Sequence, residues 1–305
     1  MSADARSQEQ YNFSGHETFP LRYTWLPKTL QHLSAEPRLF AREDAMVILG
    51  VGKNMVAAMR YWAQAFGLIA PKVRGGLDEA TDLGRKLLGP QGWDSYLEDF
   101  GTIWLLHWQI ASRSSKTSTW FLAFSQLGRD AFTRAELTDW LLKLVAPLNH
   151  VRATEGSMKR DVDVFIRTYV PSTQRAGKLG EESFDSPLVE LGLIQESRGS
   201  YRFVRSTQPT LPDGIFIYAL LDYWNGQAAE QQTVGFETLL YGRGSPGAVF
   251  KLTENALAER LEHLPKETGF RFDDTAGMRQ VLKTSTMTDT LAWLERYYAS
   301  VGSTQ

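Results

Sequence analysis

Three short groups of acidic residues in the 305-residue sequence have side chains suited to binding a divalent cation. They are His16-Glu17, Asp161 with Asp163, and Asp273-Asp274. Carboxylate oxygens are the protein ligands that magnesium prefers, and a bound cation can polarise a phosphate and activate water. For each group the alternative interpretation is a helix cap or a surface ion pair.

The middle pair is the preferred metal site because Lys159 and Arg160 directly precede it in the sequence. Carboxylates that could bind a cation are therefore adjacent to cations that could neutralise a phosphate. Asp161 and Asp163 lie two residues apart in a predicted helix and point to nearly opposite faces. We therefore expect only one of the two to be a metal ligand.

His16 and Glu17 form the second candidate site. They lie in an aromatic, proline-bounded segment that begins at Phe13, and polar residues exposed on loops are more often functional than those in a core. Glu17 would be the carboxylate of this site. His16 would be a general base or leaving-group acid, because imidazole titrates near neutrality.

Several other chemistries are excluded by residue type. The chain contains no cysteine, which excludes disulfides, thiolate zinc sites, iron–sulfur clusters and cysteine nucleophiles. The segment Gly50-Val-Gly-Lys-Asn54 resembles part of a phosphate-binding loop. It lacks the earlier glycine, since position 47 is Val, and the Ser or Thr that should follow the lysine. An ATPase is therefore rejected.

The elements around Lys53 predict a winged helix-turn-helix. Arg42–Leu49 is predicted to be a short helix and Lys53–Phe66 a longer one, with a glycine turn between them. A strand at Leu68-Ile69 and a basic, glycine-rich tip at 72–76 follow, the order expected of a wing. The predicted DNA-contacting residues, here and beside the middle carboxylates, are Lys53, Asn54, Arg60, Lys72, Arg74, Lys159 and Arg160.

A partial repeat of this unit is predicted further along the chain. Its elements are a helix at Ser157–Tyr169, a short helix at Pro187–Leu191 and a strand at Tyr201–Val204. Phe66-Gly-Leu-Ile69 and Leu191-Gly-Leu-Ile194 occupy matching helix-to-strand junctions. Between the two units, the tryptophans of Trp93–Leu127 predict a buried helical hairpin.

The C-terminal third is predicted to be helical. Its expected helices are Gly214–Trp224, Phe236–Leu240, Glu254–Leu264, Thr275–Leu282 and Thr288–Tyr298. The predicted fold class is mostly α with small β-wings (α+β), with tandem winged helix-turn-helix units plus a helical bundle. The expected domains are residues 1–90, 91–206 and 207–305.

Charge is unevenly distributed along the chain, although the formal net charge is only −2. Residues 52–74 contain four basic residues and no acid, whereas residues 254–274 contain six acids and three bases. This distribution favours a basic face for DNA and an acidic face for a protein partner. No signal-peptide pattern occurs at the N-terminus, and the apolar stretches are too short to span a bilayer, so a cytoplasmic protein is expected.

Six motifs together resemble one bacterial family linked to DNA phosphorothioation. They are Phe13-Ser-Gly-His-Glu-Thr-Phe-Pro-Leu-Arg22, Leu49-Gly-Val-Gly-Lys-Asn-Met55 with Arg60-Tyr-Trp62, Trp104-Leu-Leu-His-Trp108, Lys159-Arg-Asp-Val-Asp163, Leu211-Pro-Asp-Gly-Ile215 and Phe272-Asp-Asp-Thr-Ala-Gly277. The resemblance covers residues 12–298 and implies a magnesium-dependent endonuclease that nicks one DNA strand in phage defence. It also implies partners, a cysteine desulfurase and a phosphosulfate-reductase-like protein. No catalytic residue is carried over from it.

Three functions from different classes follow. The first is the Mg²⁺-dependent nickase, acting on double-stranded DNA. The second is a non-enzymatic winged-helix adaptor or regulator that recruits the sulfur-transfer proteins to DNA. The third is an RNA-binding or purely protein-binding scaffold.

Overall fold

In a computed structural model of the chain, the structure describes residues 10–72, 77–114, 116–171, 185–275, 277–284 and 289–302. Helices dominate, and they are joined to small antiparallel sheets. The predicted α+β class is therefore confirmed. The finer assignment to winged-helix units remains a prediction.

The N-terminal elements include the predicted order of helix, turn, helix and hairpin, preceded by a helix that was not predicted from the sequence. They are α1 (Trp25–Ala35), a 3-10 turn (Leu39–Ala41), α2 (Ala45–Leu49), α3 (Lys53–Ala65), β1 (Ile69–Pro71), β2 (Asp78–Ala80) and α4 (Asp82–Leu88). Gly50 ends α2 in the left-handed region, at φ 64°, where glycine has no side chain to clash. The chain can therefore reverse directly into α3. The predicted tip between β1 and β2 falls partly outside the described residues.

The central elements begin with the expected helical hairpin. They are α5 (Phe100–Ala111), α6 (Ser118–Gln126), β3 (Ala131–Thr133), α7 (Arg134–Val145), α8 (Glu155–Tyr169), a 3-10 turn (Pro187–Leu191), β4 (Ile194–Ser197) and β5 (Ser200–Phe203). Trp104, Trp108 and Trp120 are fully buried, which confirms the hairpin as core. The strands form an antiparallel sheet in the order β3-β5-β4.

The C-terminal third is less helical than predicted. Its elements are α9 (Asp213–Gln227), β6 (Thr233–Gly235), α10 (Phe236–Tyr241), α11 (Pro246–Val249), α12 (Glu254–Glu262), a 3-10 turn (Lys266–Thr268), β7 (Phe270–Thr275), β8 (Met278–Lys283) and α13 (Thr290–Gly302). The predicted helix Thr275–Leu282 is wrong. Gly277, at φ 77°, lies in the turn of a hairpin, and the buried Val281 pairs with Val234 of β6 as well as with Phe272 of β7.

A glycine marks three equivalent junctions between a helical turn and a hairpin. Gly67, Gly192 and Gly269 have φ of 68°, 61° and 71°, and β1, β4 and β7 begin within two residues of them. The sequence indicated the first two junctions. The third was missed because its hairpin was predicted to be helix.

The buried side chains form one continuous cluster that runs from Phe13 to Tyr298. Polar contacts also link distant segments, since the Trp108 indole Nε1 donates to Asp222 of α9 at 2.8 Å. The predicted division into three domains remains a prediction. In the described segments, no helix combines the length and apolarity needed to cross a membrane.

Candidate functional site

A buried histidine packs the Phe13–Phe19 loop against the body of the protein. His16 is 1% exposed and packs against the rings of Tyr61 and Trp62 on α3 and Trp120 on α6. The sequence had placed this imidazole among exposed polar residues, and that expectation is wrong. The aromatic neighbours exclude water from the ring because they surround it on several sides.

His16 and Asp161 meet in the folded protein, although the sequence assigned them to separate candidate sites. The Nε2 atom of His16 lies 2.7 Å from Oδ1 of Asp161, and both side chains are buried. The backbone N–H of Thr18 donates to Nδ1 of the same ring at 3.2 Å. Nδ1 is therefore an acceptor, so Nε2 carries the proton and donates to the carboxylate.

Asp161 accepts three hydrogen bonds from two segments that are distant from it in the sequence. Besides His16, the backbone N–H of Ser14 donates to Oδ1 at 2.6 Å, and the hydroxyl of Thr119 donates to Oδ2. Asp161 is 1% exposed. These hydrogen bonds satisfy its buried oxygens, and they tie α8 to α6 and to the Phe13–Phe19 loop.

The backbone of this loop is unusual because four of its residues have positive φ. They are Ser14, Gly15, Glu17 and Thr18, at 81°, 106°, 50° and 66°. A Cβ placed on Gly15 would lie 2.8 Å from the ring of Tyr61, so only glycine fits there without movement. Burial, and then the charge of Asp161, raise the pKa of Tyr61 well above its ordinary value. Its hydroxyl stays protonated and donates to the Lys116 carbonyl at 2.8 Å.

The other predicted residues of α8 face away from Asp161. Lys159 and Arg160 are exposed, and Lys159 pairs with Glu155 at 2.5 Å. Asp163 is partly exposed, as its position two residues after Asp161 predicted. Lys159 and Arg160 therefore do not lie beside the buried carboxylate.

Asp163 lies between two arginines that the sequence did not single out. Its oxygens are 3.5 Å from Nε of Arg134 and 3.5 Å from an Nη of Arg167. Arg167 also donates to the carbonyl of Thr18 at 3.4 Å, which brings the exposed Glu17 to the same side of the molecule. Two of the predicted carboxylates, Glu17 and Asp163, are thus solvent-accessible, and Arg167 contacts both Asp163 and the residue that follows Glu17.

Two of the three predicted DNA-contacting residues of α3 line one cleft of about 800 Å³. Lys53 and Arg60 are on its wall together with apolar side chains of α2 and α3, and Asn54 is exposed next to Lys53. Arg60 is paired with the buried Asp78 of β2 at 2.6 Å, so part of its charge is neutralised. Lys72 is exposed at the end of β1, and Arg74 lies outside the described residues.

The third acidic candidate has an ion-pair partner outside its own segment. Arg279 of β8 lies 3.5 Å from Asp274 and 2.5 Å from Glu254, so two of the acids in 254–274 are neutralised by one guanidinium. Asp273 accepts from the hydroxyl of Thr275 at 2.7 Å. This is the surface ion pair that the sequence left open as the alternative.

A complete magnesium site is not formed by the described residues, since no group of three or more His, Asp or Glu side chains lies close enough together. Asp161 is a poor candidate ligand because three donors already occupy its oxygens. Magnesium commonly binds one or two carboxylates and completes its shell with water and substrate phosphates. Glu17 and Asp163 are the predicted carboxylates with oxygens accessible to it.

Comparison with known proteins gives one family and two solved structures. A family described as "Protein of unknown function (DUF4007)" matches residues 13–298. A magnesium ion-bound SspB crystal structure shares 31% identity with a TM-score of 0.84, covering 97% of this chain and 90% of that one. A second SspB crystal structure shares 33% identity with a TM-score of 0.83, covering 97% and 91% of the two chains. No curated protein matches the chain.

Proposed function

The chain belongs to the DUF4007 family and resembles SspB over 97% of its length, and from this premise we propose that it is a magnesium-dependent endonuclease that nicks one DNA strand during bacterial DNA phosphorothioation. The observation that carries the proposal is the similarity to a magnesium ion-bound SspB structure. The role in phosphorothioation follows from the six motifs that resemble a bacterial family linked to DNA phosphorothioation.

The α3 cleft and the exposed face of α8 are the proposed DNA-contacting surfaces. Lys53 and Asn54 lie at the start of a helix of 13 residues, where backbone N–H groups favour phosphate. Arg60 and Lys72 extend this surface, and Arg74 is proposed to do so from outside the described residues. Lys159 and Arg160 supply cations on α8.

Magnesium would be held by Glu17 or Asp163 together with phosphate oxygens of the DNA. When bound, the ion would polarise the phosphate and stabilise the oxygen that leaves. The protein's own contribution is to position the backbone. The His16–Asp161 pair is proposed to fix the loop that carries Glu17, so His16 acts as a positioning residue and not as a base.

A second candidate function is the non-enzymatic adaptor. The full occupation of Asp161, one of the two preferred metal candidates, by three hydrogen-bond donors favours it. In both functions the partners are proposed to be a cysteine desulfurase and a phosphosulfate-reductase-like protein, which would bind the acidic segment 254–274.

Complementation tests the role in phosphorothioation. The host would carry the modification gene set with its own counterpart of this gene deleted. It would then receive either a vector that encodes this chain or an empty vector. Phosphorothioate-linked dinucleotides, measured by mass spectrometry after nuclease digestion, should reappear only with the chain. Their absence despite normal expression of the folded protein would contradict the proposed role.

A further inference from the structure

The open face of α3 lies in a cleft that also includes residues from two other segments. The residues of α3 that line it recur at helical spacing along one face, and they include Lys53, Val56, Arg60 and Gln64. Residues 40–46, which run from the 3-10 turn into α2, and the end of β1 also line it. Its volume of about 800 Å³ is within the range of pockets that enclose small ligands. The cleft is therefore large enough to enclose a chemical group of a ligand.

Apolar and aromatic side chains form the middle of this cleft. Phe40, Met46 and Val56 line it, and Met46 is 42% exposed. Tyr61 adds a second aromatic ring, which is held in place because its hydroxyl donates to the Lys116 carbonyl at 2.8 Å. Aromatic rings within an accessible groove are the surfaces on which the flat faces of nucleic-acid bases stack.

Several polar groups in the cleft are already used within the fold. The amide of Gln64 is occupied on both sides, since Nε2 donates to Asp78 at 2.7 Å and Oε1 accepts from Lys116 at 3.1 Å. The Nε of Arg60 also donates to Asp78, at 2.6 Å. Val56, one turn before Arg60, has no hydrogen-bonding group in its side chain. The middle of the cleft is therefore suited to the apolar face of a base and not to the polar edges of a base pair.

The charges around the cleft favour an anionic ligand. Lys53 is exposed and forms no ion pair among the described residues. It begins α3, where the first backbone N–H groups of the helix also favour a phosphate. Among the described residues that line the cleft, Glu43 is acidic, whereas Arg42, Lys53 and Arg60 are basic. An apolar centre with cations around it matches a nucleotide, which combines a flat base with a phosphate.

We propose that the α3 cleft binds one unstacked nucleotide of a DNA strand, with its base against Phe40, Met46 and Tyr61 and its phosphate at Lys53. The faces of a base become accessible only when the base leaves the helical stack. The cleft should therefore prefer opened or single-stranded DNA to an intact duplex. The site deepens the proposed function and rests on it, because it names the form of DNA that this surface binds. It does not require that the protein cut the strand.

Equilibrium binding of two fluorescent single-stranded probes to the full-length chain tests the site. One probe is an oligothymidine, and the other is an abasic strand of the same length, which has the same phosphates but no bases. The parent should bind the oligothymidine about 10-fold more tightly, because stacking on aromatic side chains adds affinity for each base. Equal affinity for the two probes would overturn the site.

Substitutions in the cleft separate contacts to the base from contacts to the phosphate. Met46→Gln and Phe40→Leu should each weaken oligothymidine binding about 5-fold and leave the abasic probe unaffected, because they remove apolar or aromatic contacts without changing the charge. Met278→Gln is the matched control, since it makes the same change at another exposed methionine, at the start of β8 and outside the cleft. Lys53→Gln should weaken binding of both probes equally, because it removes a phosphate contact.

The site is refuted if Met46→Gln and Phe40→Leu melt as the parent does and bind oligothymidine as tightly as Met278→Gln. It is also refuted if the two substitutions leave oligothymidine binding intact but weaken association with the purified sulfur-transfer proteins, which would make the cleft a protein-docking surface. A parent that binds oligothymidine through the cleft but never nicks a plasmid would support the site and overturn the nuclease proposal alone. A parent that nicks but binds both probes equally would overturn the site alone.

Discussion

His16 and Asp161 lie 145 residues apart in the sequence, and a 2.7 Å hydrogen bond joins them in the protein interior. This bond connects the Phe13–Phe19 loop to α8. Thr119 of α6 donates to the other carboxylate oxygen, so three distant segments converge on one negative charge. A buried polar network therefore fixes the loop. Asp161, whose oxygens already accept three hydrogen bonds, holds the loop in position.

Replacing Asp161 with Ala should lower the free energy of unfolding by about 3 to 5 kcal/mol. The substitution leaves the Ser14 N–H, the His16 Nε2–H and the Thr119 hydroxyl buried without their acceptor. Urea unfolding followed by circular dichroism measures the change.

Asp163→Ala is the control for Asp161→Ala, since it removes a partly exposed carboxylate from the same helix. Its free energy of unfolding should fall by less than about 1 kcal/mol. Equal losses for the two variants would show that the buried network does not stabilise the fold as argued.

Gly15→Ala should destabilise the protein by about 2 kcal/mol or more. Alanine is disfavoured at φ 106°, and its Cβ would be 2.8 Å from the Tyr61 ring. Thermal unfolding compares it with Gly226→Ala in α9, where an added Cβ meets nothing within 4 Å. The control should be neutral or stabilising. A Gly15→Ala variant as stable as this control would mean that the loop does not pack against α3.

Local patterns predicted several helices and the first two glycine junctions, because these depend on neighbouring residues, although α1 and α7 were not predicted. The helical spacing from Lys53 onward gave α3 within one residue, and Gly67 ended it as expected. The helix prediction was wrong at Thr275–Leu282, because this segment forms a strand whose partner Val234 lies more than forty residues away in the sequence. An apolar pattern of this length does not specify its partner.

The candidate site could be predicted only in part for the same reason. The sequence identified His16, Asp161 and Asp163 as notable but gave no signal that His16 would reach Asp161. It also gave no signal that Arg134 and Arg167 would flank Asp163. Nor did it show that the core is continuous across the predicted domain boundary after residue 206.

Lys53→Glu should weaken duplex binding about 10-fold or more at low salt and reduce its salt dependence, because fewer counterions are released. Lys53 is exposed at the start of α3. Lys266→Glu, in the acidic C-terminal segment, is the control and should bind as the parent does. Titrations at several salt concentrations measure both. Indistinguishable binding by the two variants would remove the α3 cleft from the DNA surface.

Lys251 should make the stability of the protein rise with pH above neutrality. Burial, and then the charge of Arg205, lower its pKa from 10.5 to about 7 in the folded state. Between these values the unfolded chain binds more protons than the folded chain, so raising the pH favours folding. The gain should approach at most about 1.4 kcal/mol per pH unit.

Lys251→Met tests this dependence by urea unfolding at pH 7 and pH 9. The stability of the parent relative to the variant should increase between the two pH values. The exposed Lys266→Met is the control and should show no such change. A parent and a Lys251→Met variant that respond equally to pH would contradict the lowered pKa.

The rate at which purified protein converts supercoiled plasmid to the open-circular form tests the proposed nuclease function most directly. Nicking should require added Mg²⁺ and stop with a chelator. Asp163→Asn or Glu17→Gln should lose most of the nicking activity, and each variant should still bind duplex DNA. A parent that binds duplex DNA but leaves the plasmid supercoiled in both Mg²⁺ and Mn²⁺ would contradict the nickase and favour the adaptor.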